Sequence, residues 1–123
     1  MDRPFHSSLP IYSQLMTRIR EQIVSGALPP GARLPSVREL AAQLSVNPNT
    51  VQRALQEMER GGLVYTQSTS GRYVTEDREA IARCREELAA ERTADYLGAM
   101  EQLGFTREEL IALLQGQTKE EEK

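Results

Sequence analysis

The sequence predicts a mainly α fold with a small β-hairpin, followed by a two-helix C-terminal region. Three observations predict it. Two short amphipathic segments, residues 36–44 and 47–60, are separated by the turn around Ser45-Val46-Asn47, which is the spacing of a helix-turn-helix. Two β-prone triplets, Leu63-Val64-Tyr65 and Arg72-Tyr73-Val74, flank a Ser/Thr/Gly tip, as in a hairpin. After Thr75 the composition turns to Glu, Arg and Ala, with apolar residues at helical spacing. Helix, helix, helix, hairpin is the order of a winged helix-turn-helix, with a helical region behind it.

The first helix is expected from about Pro10 to Ser25. Tyr12, Leu15, Ile19 and Ile23 share a face there, Pro10 suits the first position and Gly26 the stop. Residues 28–35 hold three prolines and a glycine, which excludes helix and central strand. The second helix opens on the capping box Ser36–Glu39 and buries Val37, Leu40, Ala41 and Leu44. The third has Asn47 as its cap and Pro48 at its first position. It buries Val51, Ala54, Leu55 and Met58, and Gly61-Gly62 ends it.

Behind the hairpin, a long helix of roughly Asp77 to Leu103 places Ile81, Cys84, Leu88, Tyr96, Met100 and Leu103 near one stripe. Gly104 stops it. Thr106 with Glu109 makes a second capping box, and Phe105 with Leu110 a hydrophobic staple. The last helix runs to about Leu114, carrying Leu110, Ile111, Leu113 and Leu114. These stripes exceed what two isolated helices bury in each other, so an interface is expected on them. The expected division is residues 1–75 as the helix-turn-helix and wing, 76–116 as a helical dimerisation region, and 117–123 as a charged flexible tail.

The net charge of −3 is unevenly spread. Residues 1–75 carry eight arginines against five acids, and residues 76–123 seven basic residues against thirteen acids. A basic front and an acidic back suit a module that meets a polyanion with one end. The single cysteine, Cys84, excludes an intrachain disulfide. No apolar run approaches the roughly 18 residues of a spanning helix, and the N-terminus has no signal-peptide pattern. A cytoplasmic protein with no membrane partner is expected.

One His and one Cys do not make a metal site, and no phosphate-cradling glycine motif is present. Glu86-Glu87 and Glu108-Glu109 read as solvated helix faces rather than paired catalytic acids. No cofactor and no enzymatic activity are expected.

The third helix is different. Beside its apolar stripe it displays Asn49, Thr50, Gln52, Arg53 and Gln56, residue types that bond base edges or phosphates. Its N-terminus favours a phosphate. The alternative is an ordinary exposed face, but Glu is absent from Pro48 to Gln56 and Lys from residues 1–118. Arg33, Arg38 and Arg72 are placed to neutralise phosphates around a groove-bound helix, with a surface salt bridge as the alternative for each. Double-stranded DNA is therefore the expected partner.

The run Pro30-Gly31-Ala32-Arg33-Leu34-Pro35-Ser36-Val37-Arg38-Glu39-Leu40-Ala41 continues with Leu44, Val46-Asn47-Pro48-Asn49-Thr50-Val51, Ala54, Leu55 and Gly62-Leu63. Together these resemble the GntR family signature over residues 10–75. The family wing motif G-x-G-T-F-V corresponds to Thr69-Ser70-Gly71-Arg72-Tyr73-Val74, with the second glycine kept, and Pro48 stands where many members have Arg or Ser. The resemblance implies a homodimeric, repressor-type regulator of a palindromic operator. It implies DNA-contacting positions at Arg38, Asn47, Asn49, Thr50, Gln52 or Arg53, and at the wing around Gly71; Arg33, Arg72 and the cap Ser36 stand with them as candidate contacts. The short helical tail is similar to that of the YtrA-like subfamily, where it serves dimerisation and where transporter operons are often controlled. The apolar stripes make Ile81, Leu88, Tyr96, Met100, Leu103, Leu110, Ile111 and Leu114 the expected dimerisation residues, and a small-molecule effector is left unassigned. The competing reading is a winged-helix module for protein–protein assembly.

Overall fold

The computed structural model describes residues 4–5, 8–68 and 70–121, with the backbone alone for 117–121. The readings placed on Thr69 and the last two residues lie outside the described residues, as does the chain's one histidine, His6. The elements are α1 (Ile11–Val24), α2 (Val37–Leu44), α3 (Pro48–Arg60), β1 (Val64–Thr66), β2 (Arg72–Val74), α4 (Arg78–Gln102) and α5 (Arg107–Glu121). The chain divides into two compact units, Met1–Glu86 and Glu87–Lys123. That boundary falls later than the composition change at Thr75. Cys84 is buried and Ala80 and Ile81 are half-buried, so the first turns of α4 carry apolar burial of their own.

In the first unit, local chemistry sets the helix ends. Ser36 Oγ accepts from the Glu39 N–H (3.1 Å) at the start of α2, and Asn47 Oδ1 accepts from the Asn49 N–H (2.8 Å) at the start of α3. Each satisfies a donor that the first helical turn leaves unpaired. Between them Ser45 adopts the left-handed conformation (φ 54°), and the Val46 N–H donates to the Ala41 carbonyl (3.1 Å), turning the chain from α2 into α3. The left-handed region is uncommon for a residue other than glycine.

The core follows the predicted stripes. Leu15, Ile19 and Ile23 of α1 are buried with Leu40 of α2, and with Val51, Ala54, Leu55 and Met58 of α3. Helix α3 packs against α1, α2 and β1. Each large side chain fully removed from water contributes about 1.5–3 kcal/mol, and α3 supplies three of them, Val51, Leu55 and Met58; packed against α1, α2 and β1, it organises the unit.

The wing is an antiparallel hairpin pairing Val64 with Val74, Tyr65 with Tyr73 and Thr66 with Arg72. Val64 and Val74 face the core, and the Tyr65 and Tyr73 rings stack at 5.8 Å between centroids. The proline-rich turn before α2 joins this sheet. The Gly31 N–H donates to the Val74 carbonyl (3.0 Å), the Val74 N–H to the Ala32 carbonyl (2.8 Å) and the Leu34 N–H to the Arg72 carbonyl (2.8 Å). Arg33 bridges Tyr73. β2 is thus flanked on both sides, and the prolines are confined to the outer segment, where a missing donor is tolerated.

In the second unit, Thr106 and Glu109 form the reciprocal capping box: the Thr106 N–H donates to Glu109 Oε1 (3.0 Å) and the Glu109 N–H to Thr106 Oγ1 (3.2 Å). The Thr106 backbone donor holds the Glu109 carboxyl below its ordinary pKa. Helix α5 continues to Glu121, past the end expected at Leu114. The residue types after Leu114 are permissive helix formers apart from Gly116, so nothing stops the helix there. Among the described residues no helix is long and apolar enough to cross a membrane.

Candidate nucleic-acid interface

The first half of α3 is the most exposed face of the first unit's core helix. Asn49, Arg53 and Gln56 are exposed, and Thr50 and Gln52 are half-exposed. No acidic residue lies on the helix before Glu57. Asn47 is exposed too, but its Oδ1 is engaged in capping α3. Ser36 Oγ is likewise engaged in capping α2, beside the exposed Arg38. Among the described residues no carboxylate pairs with Arg38. Arg53 lies over the ring of Tyr12 in α1, its guanidinium carbon 3.9 Å from the centroid, a cation–π contact that fixes the side chain and leaves its charge in place.

A cleft of about 250 Å³ separates α2 and α3 from the wing. Arg33, Ser36, Gln52, Gly71 and Arg72 all line it. Five of the sequence-predicted contact residues therefore converge, whereas Arg38, Asn47, Asn49, Thr50 and Arg53 are not part of its lining. Gly71 has φ +113°, and a Cβ there would meet Arg33 Nε at 3.1 Å. The conformation and the close approach both call for glycine.

Arg72 is not a free tip residue. It lies in β2, and its Nε–H donates to Glu59 Oε1 at 2.6 Å while Nη1 donates to Gln52 Oε1 at 3.3 Å. The Thr66 hydroxyl donates to the same Glu59 oxygen. The hydrogen bond from Thr66 and, after it, the hydrogen bond and charge of Arg72 hold the Glu59 carboxyl below the ordinary 4.5, against the opposing effect of burial. Tyr12, Glu59 and Thr66 therefore shape this face without having stood out in the sequence. The available signals were indirect: Glu59 follows Gln52 by two helical turns, and hairpin register sets Thr66 opposite Arg72.

A lowered carboxylate pKa means that the unfolded chain binds the proton more readily. The clamp's contribution to stability is therefore complete above the ordinary glutamate value and is lost as pH falls through the lower native value. Between about pH 6 and pH 3 the parent should lose more stability than Glu59→Gln, measured by denaturant unfolding at each pH. Parallel curves for the two proteins would remove Glu59 from any ionised clamp.

The profile of the bacterial regulatory proteins of the gntR family matches residues 11–74, from the first residue of α1 to the last of β2. The chain belongs to the GntR family. It is a DNA-binding transcriptional regulator of the GntR type, not an enzyme. It is 42% identical over 111 residues to the uncharacterised HTH-type transcriptional regulator YhcF of Bacillus subtilis, covering 90% of this chain and 92% of that one. It is 45% identical over 71 residues to the B. subtilis transcriptional repressor YtrA, covering 58% of this chain and 55% of that one. Among solved structures, a GntR family transcriptional regulator from Listeria monocytogenes has a TM-score of 0.83 at 39% identity, covering 91% of this chain and 98% of that one. The likeness to YhcF and to the Listeria regulator extends beyond the wing into α4 and α5. The GntR signature read from residues 30–63 thus coincides with α2, α3 and their connections, which hold the cleft and the polar face.

Proposed function

We propose that this GntR-family chain is a homodimeric repressor of a palindromic operator. Each copy lays the first half of α3 in the major groove, with Asn49, Thr50, Gln52 and Arg53 toward base edges and backbone. Arg38, Ser36 and Asn47 at the helix N-termini, with Arg33 and Gly71 of the cleft and wing, sit against phosphates. The observation that carries this reading is the acid-free, hydrogen-bonding first half of α3, residues 48–56, together with an unpaired Arg38 on α2. Such a face matches the donor and acceptor pattern of a major groove and the charge of its flanking phosphates.

The dimer is supported by apolar side chains that the single chain leaves in water: Tyr96, Leu103, Ile111, Leu113 and Leu114. Leu88 and Leu110, named with them from the sequence, are buried within the chain at 6% and 2% exposure. Ile81 and Met100 are half-buried. The surface offered to a second copy therefore narrows to the exposed set. The resemblance of the short helical tail to the YtrA-like subfamily supports a transporter operon as the regulated unit, with the cytoplasm as the place of action.

Titration of the chain against its own upstream region and against random DNA tests the reading. A palindromic site bound well above random DNA supports it, and equal affinities at matched salt would sink it. In the same assay Arg38→Ala should weaken operator and random DNA alike. It should reduce the slope of log affinity against log salt by about 0.9, one phosphate's worth. An unchanged slope would take Arg38 off the interface.

A further inference from the structure

We infer that Glu59 and Arg72 are positioning residues that turn the Gln52 amide so that α3 selects guanine over adenine at one step of each half-site. The inference rests on the reading of Gln52 as a base contact. The observation behind it is the chain of contacts across the cleft, from Thr66 and Arg72 of the wing to Glu59 and Gln52 of α3.

An arginine only donates hydrogen bonds. The Gln52 atom facing Arg72 Nη1 at 3.3 Å must therefore be the amide oxygen, which fixes a choice that the shape of an amide leaves open. The NH2 group is then the other end of the amide, on a residue that lines the cleft. Glu59 keeps the arrangement in place, because its carboxylate pins Arg72 through Nε at 2.6 Å, and Arg72 is only 18% exposed at its side chain. The wing thus sets the polarity of a side chain on α3.

That polarity matters for base choice. A glutamine with both ends free pairs with adenine by accepting from N6 and donating to N7. With its oxygen turned to Arg72 and one of its two lone pairs used there, Gln52 presents chiefly its NH2 donors. Guanine offers two major-groove acceptors, N7 and O6, whereas adenine offers N7 beside a competing donor and cytosine offers a donor alone. Thymine offers a single acceptor, O4, beside its methyl, so guanine alone offers two acceptors and ranks first.

Binding-site selection on the full chain tests this with Gln52→Ala, Arg72→Thr and Arg72→Lys, each folded to the parent's extent by thermal unfolding. Gln52→Ala should flatten one step per half-site, and the parent should prefer guanine there. Arg72→Thr places a β-branched residue in the strand, where it is well accommodated, and frees the amide, so the guanine-to-adenine ratio at that step should fall about tenfold. Arg72→Lys retains a donor and should keep guanine first. Adenine preferred by the parent at that step, or Arg72→Thr leaving its ratio unchanged, would overturn the positioning role while leaving Gln52 a base contact. A Gln52→Ala selection identical to the parent's at every step would instead overturn the base contact, and the positioning role with it.

Discussion

Leu103→Glu combined with Ile111→Glu should convert the protein from a dimer to a monomer and weaken operator binding by about 100-fold or more. Both side chains are largely exposed in the single chain, at 70% and 56%. Their replacement therefore removes nothing from either unit's own core, and the variant should unfold at nearly the temperature of the parent measured at concentrations where the parent is monomeric. In a two-fold dimer both copies bring these positions to one shared seam, and four carboxylates placed in an apolar seam oppose association. Operator affinity falls because the second half-site is then bound independently rather than at the high effective concentration of a linked pair. Half-sites about 34 Å apart need such a link to be engaged together. Sedimentation of parent and variant at micromolar concentration, with operator titration, decides the matter. A monomeric parent, or a variant that stays dimeric, would remove the exposed apolar set from any self-association.

The second large effect is on stability. Leu55→Ala should destabilise the protein by about 2–5 kcal/mol, because Leu55 is 1% exposed on α3, the helix packed against α1, α2 and β1. Domains of this kind are stable by about 5–15 kcal/mol in all, so the midpoint of thermal unfolding should drop by on the order of 10 °C or more. Leu113→Ala, on a side chain 40% exposed, is the comparison: measured at concentrations where the parent is monomeric, it should shift the midpoint far less. Equal shifts for the two would mean that the interior around α3 relaxes to fill the space.

The features legible in the sequence were those written in neighbouring residues. Ser36 with Glu39, Asn47 with Pro48, and Thr106 with Glu109 mark helix starts through contacts three residues apart or fewer, which sequence displays directly. The stripes of α1 and α3 were legible because a one-sided helix repeats at 3.6 residues whatever it packs against. The pairing of residues 31–34 with β2 was not, because it joins positions some forty residues apart and its segment reads as a proline turn. The Glu59–Arg72–Gln52 contacts were equally silent, since charges on a strand and on a helix carry no shared period. On α4 and α5 the stripe could not separate Leu88 and Leu110 from Tyr96, Leu103 and Ile111. Burial within one chain and burial between two copies select the same residue types, and only coordinates distinguish them.

The pairing of residues 31–34 with β2 bears on how this domain can vary in length. The connection between α1 and α2 is stitched along its run to Arg72 and Val74, so an added residue there would shift the stitches out of phase and displace the first turn of α2. The far end of the hairpin has fewer ties: Gln67 and Ser70 are exposed, and their backbone bonds close the tip on itself. Length changes should therefore accumulate at residues 67–70 and be purged from residues 31–34. The tip can be redrawn to follow a different stretch of duplex while the ground on which α3 stands remains fixed.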